Sequence, residues 1–323
     1  MDVGILVVDG VADFGLGVLL GAFGMANALR KELDEPPAEW RIRMVASGTS
    51  VRSANGSLVP TTPITDSPGS LDILAVAAVD ILDPEPLAGF VTDPRHVGVL
   101  EYLRAARSDG VHLAAACTGT FFLAESGVLD GSPATTSWWL GAHFRARYPR
   151  VELDESCILC RGDGLTTAGA SLSHVDLALS LVYRTSPDLA ERVRRYLTVG
   201  HRESQAPYVI PEVVARSNPL VVRYEKWVRE HISQQFLIST AARDLGVTER
   251  SLQRATRAAL GMSPKDFADD IRLDRATRLL RTTDLTVGAV AGAVGYVNAG
   301  ALRALARRRR GVSPAEIRAG RTR

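Results

Sequence analysis

The first half of the chain alternates short apolar runs with amphipathic segments. Four runs, bounded by polar residues, glycine or proline, have the length and composition of buried β-strands. They span residues 3–8, 41–46, 72–79 and 111–116. Between them lie segments with apolar residues at helical spacing, such as 93–108, and another helix is predicted over 172–183. Strands that alternate with helices predict a largely parallel sheet covered by helices on both faces.

The pattern changes after residue 186. A polar stretch with three prolines at 187–218 is predicted to be a linker between two domains, 1–186 and 219–320. The second domain opens with an amphipathic helix that places Tyr224 and Val228 on one side. The chain is therefore expected to carry an α/β domain followed by an all-α domain.

The second domain contains an internal repeat with an offset of 50 residues. The recurring residues are Leu252, Arg257, Gly261, Ser263 and Pro264, matched by Leu302, Arg307, Gly311, Ser313 and Pro314. Upstream, a short alanine-rich helix ends at Gly246 or Gly295, and the next helix starts after a capping residue, Thr248 or Asn298. Small alanines let two helices cross closely, and glycine accepts the left-handed turn between them. The repeat predicts two helix-turn-helix units.

The charge of the chain is distributed unevenly. Residues 240–323 carry 17 basic and 8 acidic side chains, a net charge of +9, whereas residues 1–239 carry a net charge of −7. A basic domain that contains two helix-turn-helix units is typical of proteins that bind double-stranded DNA.

Cysteine usage and hydropathy bear on the compartment. No apolar run approaches the roughly 20 residues that span a bilayer, and the opening residues have the pattern of a strand rather than of a secretory signal. The three cysteines are an odd number, which suits a reducing compartment. Cys157 and Cys160 form one CxxC pair without a second ligand pair nearby, so neither a metal nor a cofactor is predicted. We expect a cytoplasmic protein with no membrane partner.

Residues 220–318 resemble the AraC/XylS family of bacterial transcription activators. The resemblance is carried by TERSLQRATRAALGMSP, by IRLDRATRLLRTTDLTVGAVAGAVGY and by ALRALARRRRGVSP. Members place two recognition helices in successive major grooves on one face of the DNA, about 34 Å apart. The resemblance implies a DNA-binding transcriptional regulator, with RNA polymerase as a further partner if the protein is an activator.

The resemblance also assigns DNA-contacting positions. Arg250, Gln253 and Arg254 fall where the family's first recognition helix reaches base edges. Arginine can bond guanine O6 and N7 in a bidentate manner, and glutamine can bond adenine N6 and N7. The complete set of DNA-binding candidates is Arg250, Ser251, Gln253, Arg254, Arg257, Asn298, Arg303, Arg307 and Arg308.

The second unit departs from the family pattern. Its corresponding positions are taken as Ala299, Gly300 and Ala304, although the family usually has arginine at the last of them. We therefore expect the first unit to read most of the bases and the second unit to hold phosphate, which positions the protein without specifying sequence. The phosphate-binding residues would be Arg303, Arg307, Arg308 and Arg309.

Residues 1–200 resemble the ThiJ/PfpI group, whose fold is like that of class I glutamine amidotransferases, with a flavodoxin-like parallel sheet. The matching stretches are AACTGTFFLAESGVLDGSPATTSWW, TTAGASLSHVDLALSLV and LTVGHRESQAPYVIP. This pairing of domains is similar to that of the GlxA-type regulators. It implies that the first domain forms a homodimer and senses a small-molecule effector.

Catalytic relatives carry a cysteine on the turn between a strand and a helix, where Cys117 stands in this sequence. The family's partner histidine is replaced by Ser137 and a second histidine by Thr118. The expected acid corresponds to Gly21, and the expected glycine pair to Ala77–Ala78. A nucleophile without a base and oxyanion donors is not a catalytic site. The resemblance therefore implies a protein that is not an enzyme; the alternative is a cysteine-dependent hydrolase or glyoxalase-like enzyme fused to a DNA-binding domain.

Effector pockets in such sheets lie at the carboxyl ends of the strands. The candidate pocket residues are Asp13, Cys117, Thr118, Ser137 and His174. His174 and Asp176 stand two residues apart on a predicted helix and so project in different directions, which argues against a replacement catalytic pair. A third interpretation is a regulator whose first domain only dimerises and binds no effector.

Overall fold

The computed structural model describes residues 1–64, 68–200, 202–205, 208–210, 213 and 218–320. The chain divides into two units, Met1–Gln205 and Ala206–Arg323. The first unit extends beyond residue 186, where the sequence places the end of the first domain. It does so because Pro187–Tyr196 is a helix whose apolar side chains are buried in the core of this unit. Parts of the expected linker, Pro207 and Pro211 among them, lie outside the described residues.

The first unit is built on a central sheet. Its strands are β1 (Asp2–Leu6), β2 (Arg41–Ala46), β3 (Ser50–Arg52), β4 (Leu58–Pro60), β5 (Thr62–Pro63), β6 (Ile73–Val76), β7 (His112–Ala116), β8 (Pro133–Ala134), β9 (Glu152–Leu153), β10 (Leu159–Gly162) and β11 (Leu165–Ala168). Seven of them form one sheet in the order β10-β11-β7-β6-β1-β2-β5. All neighbours in it pair in parallel except β10 and β11. The four strands predicted from the sequence are β1, β2, β6 and β7 and are confirmed.

Helices cover both faces of this sheet. They are α1 (Asp13–Leu29), α2 (Pro84–Val91), α3 (Val97–Ser108), α4 (Gly119–Glu125), α5 (Gly141–Arg147), α6 (Ser173–Thr185) and α7 (Pro187–Tyr196). Successive residues of β1 enter different cores: Ile5 packs with α1, α6 and α7, and Leu6 packs with α2, α3 and α4. This alternation follows from the period of two along a strand and confirms the predicted parallel sheet with two covered faces.

The second unit is entirely helical in its described part. Its helices are α8 (Pro219–Glu230), α9 (Ile238–Asp244), α10 (Glu249–Leu260), α11 (Pro264–Thr282), α12 (Val287–Ala293), α13 (Ala299–Arg310) and α14 (Pro314–Arg318). It has two apolar cores, and α11 contributes to both, with Ile271 in the first and Leu280 in the second. In the part of the chain that the structure describes, no helix is long and apolar enough to cross a membrane.

Two helix-turn-helix units are confirmed, α9–α10 and α12–α13. The glycines between the paired helices adopt left-handed backbone conformations, with φ of 70° at Gly246 and 79° at Gly295. The second helices begin at the predicted caps: Thr248 accepts a hydrogen bond from the Ser251 amide, and Asn298 accepts one from the Ala301 amide. Such caps satisfy amide groups that have no partner within the helix.

A buried histidine is expected to make the first unit, Met1–Gln205, sensitive to acid. His112 in β7 is 4% exposed, and its Nε2 lies 2.9 Å from the Thr166 hydroxyl. Burial lowers the pKa of His112 from 6.5 to about 4, because the low-dielectric interior disfavours the charged ring. The unfolded chain takes up this proton near pH 6.5 and the folded chain does not. Stability from the neutral ring is therefore complete above pH 6.5 and is lost as the pH falls toward 4.

We expect His112 to lower the free energy of unfolding by about 3 kcal/mol as the pH falls from 6.5 to 4. The measurement is urea unfolding of the full chain and of the His112→Gln variant at several pH values in this range. The variant should lose less stability on acidification than the wild type. Equal losses in both proteins would contradict the assignment.

Candidate nucleic-acid interface

The first recognition helix, α10, separates buried and exposed residues by face. Its buried side chains are those of Leu252, Thr256, Ala259 and Leu260. Four of the predicted DNA-binding residues are exposed and stand at intervals that repeat along one face of a helix. They are Arg250, Gln253, Arg254 and Arg257, and we call this surface the first stripe. The first stripe can therefore enter a major groove as a unit, with the buried face still packed on its own core.

The second recognition helix, α13, repeats this arrangement with other residues. Because the caps Thr248 and Asn298 are 50 residues apart, the counterparts of the first stripe are fixed by the same offset. They are Gly300, Arg303, Ala304 and Arg307, and they form the second stripe. The assignment of Ala299 as a counterpart is thus wrong, since this residue is the first of α13 and corresponds to Glu249.

Two of the three remaining predicted residues, Ser251 and Asn298, act at the starts of their own helices. The Ser251 hydroxyl lies 3.0 Å from that of Thr248, and the Ser251 amide donates to the same capping oxygen. The Asn298 side-chain oxygen accepts the Ala301 amide at 3.0 Å. Both residues therefore help to fix the start of a recognition helix, which determines how the exposed stripes are presented.

The arginine run at 307–310 is divided between the surface and the protein interior. Arg309 donates to the Asp270 carboxylate at 3.2 Å, and its side chain is only 25% exposed. Arg310 pairs with Asp274 and donates to the Thr277 hydroxyl at 2.9 Å. These contacts attach α13 to α11, so the expectation that Arg309 holds phosphate is wrong. Arg308 also contacts α11, through Asp269, but its side chain is 60% exposed.

The arginines of the two stripes differ from these in their surroundings. Among the described residues, no carboxylate forms an ion pair with Arg250, Arg254 or Arg257 on α10, or with Arg303 or Arg307 on α13. The positive charge of such a guanidinium group is not offset by a neighbouring carboxylate among the described residues, so the group is available to an external anion. Each such group can neutralise a phosphate or bond a base edge. The stripes are therefore the parts of both helices best suited to DNA.

In the first unit, Cys117 stands on the turn between β7 and α4. It is a non-glycine residue with a positive φ of 57°, a strained conformation held by two hydrogen bonds from its amide to the carbonyls of Ala168 and Gly169. The Ser137 hydroxyl donates to its sulfur at 2.9 Å. The residue is 5% exposed, and burial raises the pKa of the Cys117 thiol. The thiolate that a nucleophile requires is therefore disfavoured.

The other pocket candidates have distinct contacts. The Thr118 hydroxyl donates to the Val79 carbonyl at 2.7 Å and is fully buried. His174 is buried as well; its Nδ1 lies 2.7 Å from the Ser171 carbonyl, and desolvation lowers the pKa of the ring. Asp13 accepts hydrogen bonds from the Ser53 hydroxyl and from the amide of Asn55, and these lower the pKa of its carboxyl group.

The structure thus brings Cys117, Thr118 and Ser137 together at the carboxyl edge of the sheet. Asp13 instead holds the hairpin between β3 and β4, and His174 packs beside Gly15 of α1. Asp176 forms an ion pair with Arg202, whereas Nδ1 of His174 lies against the Ser171 carbonyl. The predicted divergence of these two side chains agrees with their contacts.

Gln205 is a residue that the sequence did not single out. It is 1% exposed; its side-chain oxygen accepts the Ala170 amide at 2.8 Å, and its side-chain nitrogen donates to the carbonyl of Thr136 at 2.9 Å. The Thr136 hydroxyl in turn donates to the Cys117 carbonyl at 2.7 Å. The end of the first unit is therefore joined to the turn that carries Cys117. A glutamine within a polar stretch gives no sequence signal of such burial.

Comparison with known proteins agrees with this architecture. The helix-turn-helix domain family matches residues 241–320. The HTH-type transcriptional regulator CdhR of Pseudomonas aeruginosa is 28% identical over 318 residues, which cover 97% of this chain and 90% of that protein. The HTH-type transcriptional regulator GlxA of Rhizobium meliloti is 26% identical over 198 residues, or 60% of this chain and 61% of that one.

A crystal structure from Vibrio parahaemolyticus, of a candidate transcriptional regulator, has a TM-score of 0.51 and 17% identity, covering 61% of this chain and 98% of that chain. This similarity concerns the fold alone. An α/β unit followed by two helix-turn-helix units, whose stripe arginines form no ion pair with a carboxylate of the described residues, defines a DNA-binding transcriptional regulator. Residues 241–320 belong to the helix-turn-helix domain family, and almost the whole chain is similar to an HTH-type transcriptional regulator.

Proposed function

We propose that this regulator recognises a two-part DNA site in which the first helix-turn-helix unit, α9–α10, reads most of the bases. The observation that carries the proposal is the first stripe, whose side chains Arg250, Gln253 and Arg254 are exposed on one face of a capped helix. The second stripe has glycine and alanine at two of its four positions, which leaves Arg303 and Arg307, with Arg308 beside them, as phosphate contacts.

Selection from random-sequence DNA by the full-length protein, followed by sequencing and repeated over a series of salt concentrations, tests this proposal. We expect enrichment of a two-part motif in which the half-site that faces the first helix-turn-helix unit carries more sequence information. Binding without an enriched motif, with only a steep dependence on salt, would mean non-specific phosphate attraction. Equal information in both half-sites would contradict the division of roles.

We further propose that the first unit senses a small molecule at the carboxyl edge of the sheet, beside Cys117. Its connection to Gln205 supports this, because a change around Cys117 would reach the end of this unit through two hydrogen bonds, by way of Thr136. A thermal-shift screen of the full chain with a panel of small metabolites, free amino acids included, tests the proposal. A ligand of the native state raises the melting temperature by mass action. No shift with any of them would favour a unit that only dimerises.

The resemblance to the family also leads us to propose a homodimer formed through the first unit. Two chains would place four helix-turn-helix units on one operator region, which raises affinity through effective concentration. Sedimentation equilibrium of the full chain tests this state. If the protein is an activator, RNA polymerase would be a further partner. A rise in transcription in a reconstituted system on addition of the protein would support this contact.

We infer that Cys117 is not a catalytic nucleophile. Its burial and raised pKa support this, as does the replacement of the expected histidine by Ser137, whose hydroxyl contacts the sulfur directly. An activated cysteine has a lowered pKa and an accessible sulfur. A turnover assay that depended on Cys117 would restore the enzyme interpretation.

The reactivity of this thiol can be predicted. In a Cys157→Ser, Cys160→Ser double variant, only Cys117 can react with iodoacetamide. We expect it to react at pH 8 at least about tenfold more slowly than a cysteine in an unstructured peptide, since both exposure and thiolate fraction are low. Addition of urea should abolish the difference. Reaction faster than that of the peptide would identify an activated nucleophile.

A further inference from the structure

The helix α11, which joins the two helix-turn-helix units, carries two buried charges. Asp269 is 4% exposed and Arg272 is 8% exposed, and they stand three residues apart. From the sequence they resemble an ordinary surface ion pair at helical spacing. Burying charges is costly unless they are well paired, so their contacts indicate what they hold in place.

Arg272 contacts both helix-turn-helix units. Its Nη2 donates to the Gln234 carbonyl at 2.7 Å, and its guanidinium lies 4.5 Å from the ring centroid of Phe236, just before α9 of the first unit. The same guanidinium lies 5.4 Å from the ring of Tyr296, in the turn of the second unit. A single planar cation is therefore held by one aromatic ring from each unit.

Asp269 attaches the second helix-turn-helix unit to α11. Its Oδ1 accepts a hydrogen bond from the Tyr296 hydroxyl at 2.7 Å, and its Oδ2 accepts one from Arg308 at 3.3 Å. Lys265, one turn earlier on α11, donates to the same oxygen at 3.1 Å. Tyr296 belongs to the turn and Arg308 to the recognition helix, so both parts of the second unit are tied to one carboxylate.

The backbone of the second helix-turn-helix unit also approaches the backbone between α8 and α9 closely at this point. A side-chain carbon at Gly295 would lie 2.7 Å from the carbonyl oxygens of both Ile232 and Gln234. The residues on either side of this contact are thus in van der Waals contact through their main chains. Such a contact leaves little freedom for one helix-turn-helix unit to slide or rotate against the other.

We propose that Arg272 and Asp269 are positioning residues that set the separation of the two recognition helices, and thereby the spacing of half-sites that the protein accepts. This inference rests on the proposed two-part recognition. DNA advances about 3.4 Å and turns about 35° per base pair. An inserted base pair shifts and rotates the second half-site relative to the first. Two recognition helices that are held rigidly cannot contact both half-sites after this change, whereas two helices that are joined loosely can.

The experiment uses full-length protein and duplexes made from the selected site with the spacer shortened or lengthened by one base pair. We expect the wild type to lose affinity on the order of 10- to 100-fold on either change, comparable to the loss of one or two base contacts. Arg272→Met keeps a long side chain but removes the stacked cation and its hydrogen bond. Its loss on changing the spacer should fall below about fivefold, since a flexible pair adapts. Arg272→Lys, which keeps the charge but not the planar group, should lie between the two.

The matched control is Arg275→Met, on the exposed side of the same helix, which should keep the wild-type spacing preference. Tyr296→Phe removes only the hydroxyl that contacts Asp269 and tests the same idea if Arg272→Met does not fold. A variant that loses affinity equally for every spacing would show a purely structural role and overturn the proposal. A wild type that selects no two-part motif would instead refute the proposed function.

Discussion

Replacement of Arg254 by alanine is expected to lower affinity for the selected DNA site by about 1–3 kcal/mol and to relax specificity at one base position. Arg254 is exposed in the middle of the first stripe, and no carboxylate among the described residues forms an ion pair with it. Its removal therefore leaves no carboxylate unpaired among the described residues, and the loss of affinity reports on the contact with DNA. The measurement is equilibrium binding to the selected site and to all single-base variants of it.

Two matched variants separate base contacts from phosphate contacts. Arg303→Ala, on the second recognition helix, should weaken binding to all sequences about equally and reduce the salt dependence by about one charge. Arg275→Ala, on α11, should leave affinity and specificity nearly unchanged. If Arg254→Ala weakened all sequences equally while Arg303→Ala relaxed specificity, the roles of the two units would be reversed.

Replacement of Gly295 by alanine is expected to destabilise the second helix-turn-helix unit, α12–α13, by about 3 kcal/mol. The residue has a φ of 79°, which costs a non-glycine residue about 1–2 kcal/mol. The added carbon would also lie 2.7 Å from two main-chain oxygens, and neither can rotate away as a side chain would. Overpacking of this kind adds about 1–3 kcal/mol.

Gly292 provides the control for this substitution. It is an exposed residue of α12, and a side-chain carbon there would meet no described atom within 4 Å. Gly292→Ala should stabilise the unit by about 0.5–1 kcal/mol, because alanine favours the helical conformation. Hydrogen exchange of peptides from residues 287–310 measures both effects, since it reports the local opening free energy. Equal exchange in the two variants would show that the close contact at Gly295 is not essential.

Local patterns were sufficient for the four strands at the centre of the sheet and for the two helix-turn-helix units. The apolar runs of β1, β2, β6 and β7 are short, separated by helical segments and bounded by turn residues, and these features act within a few residues of the chain. The same is true of the caps Thr248 and Asn298. Weakly patterned elements were not predicted: β10 and β11 lie at one end of the sheet, and β10 has no fully buried residue.

The boundary of the first unit shows where local patterns were insufficient. Pro187–Tyr196 carries many charges and resembles the start of a linker, yet its few apolar residues pack on α1 and α6. The hydrophobic effect depends on the area buried against a partner, and that partner is distant in sequence. Gln205 was missed for the same reason, because its burial depends on the turn that carries Cys117.

The sequence by itself determined the repeat and the starts of the two recognition helices, through spacing and capping residues, and it placed a charge of +9 in residues 240–323. The class of protein followed from the resemblance to the AraC/XylS family. Only the tertiary structure decided which charges remain free. Within one run of arginines, Arg307 is exposed whereas Arg309 and Arg310 are held by carboxylates of α11. The physical reason is that an ion pair requires proximity in space, and neither residue type nor spacing along one helix specifies which carboxylates a neighbouring helix presents.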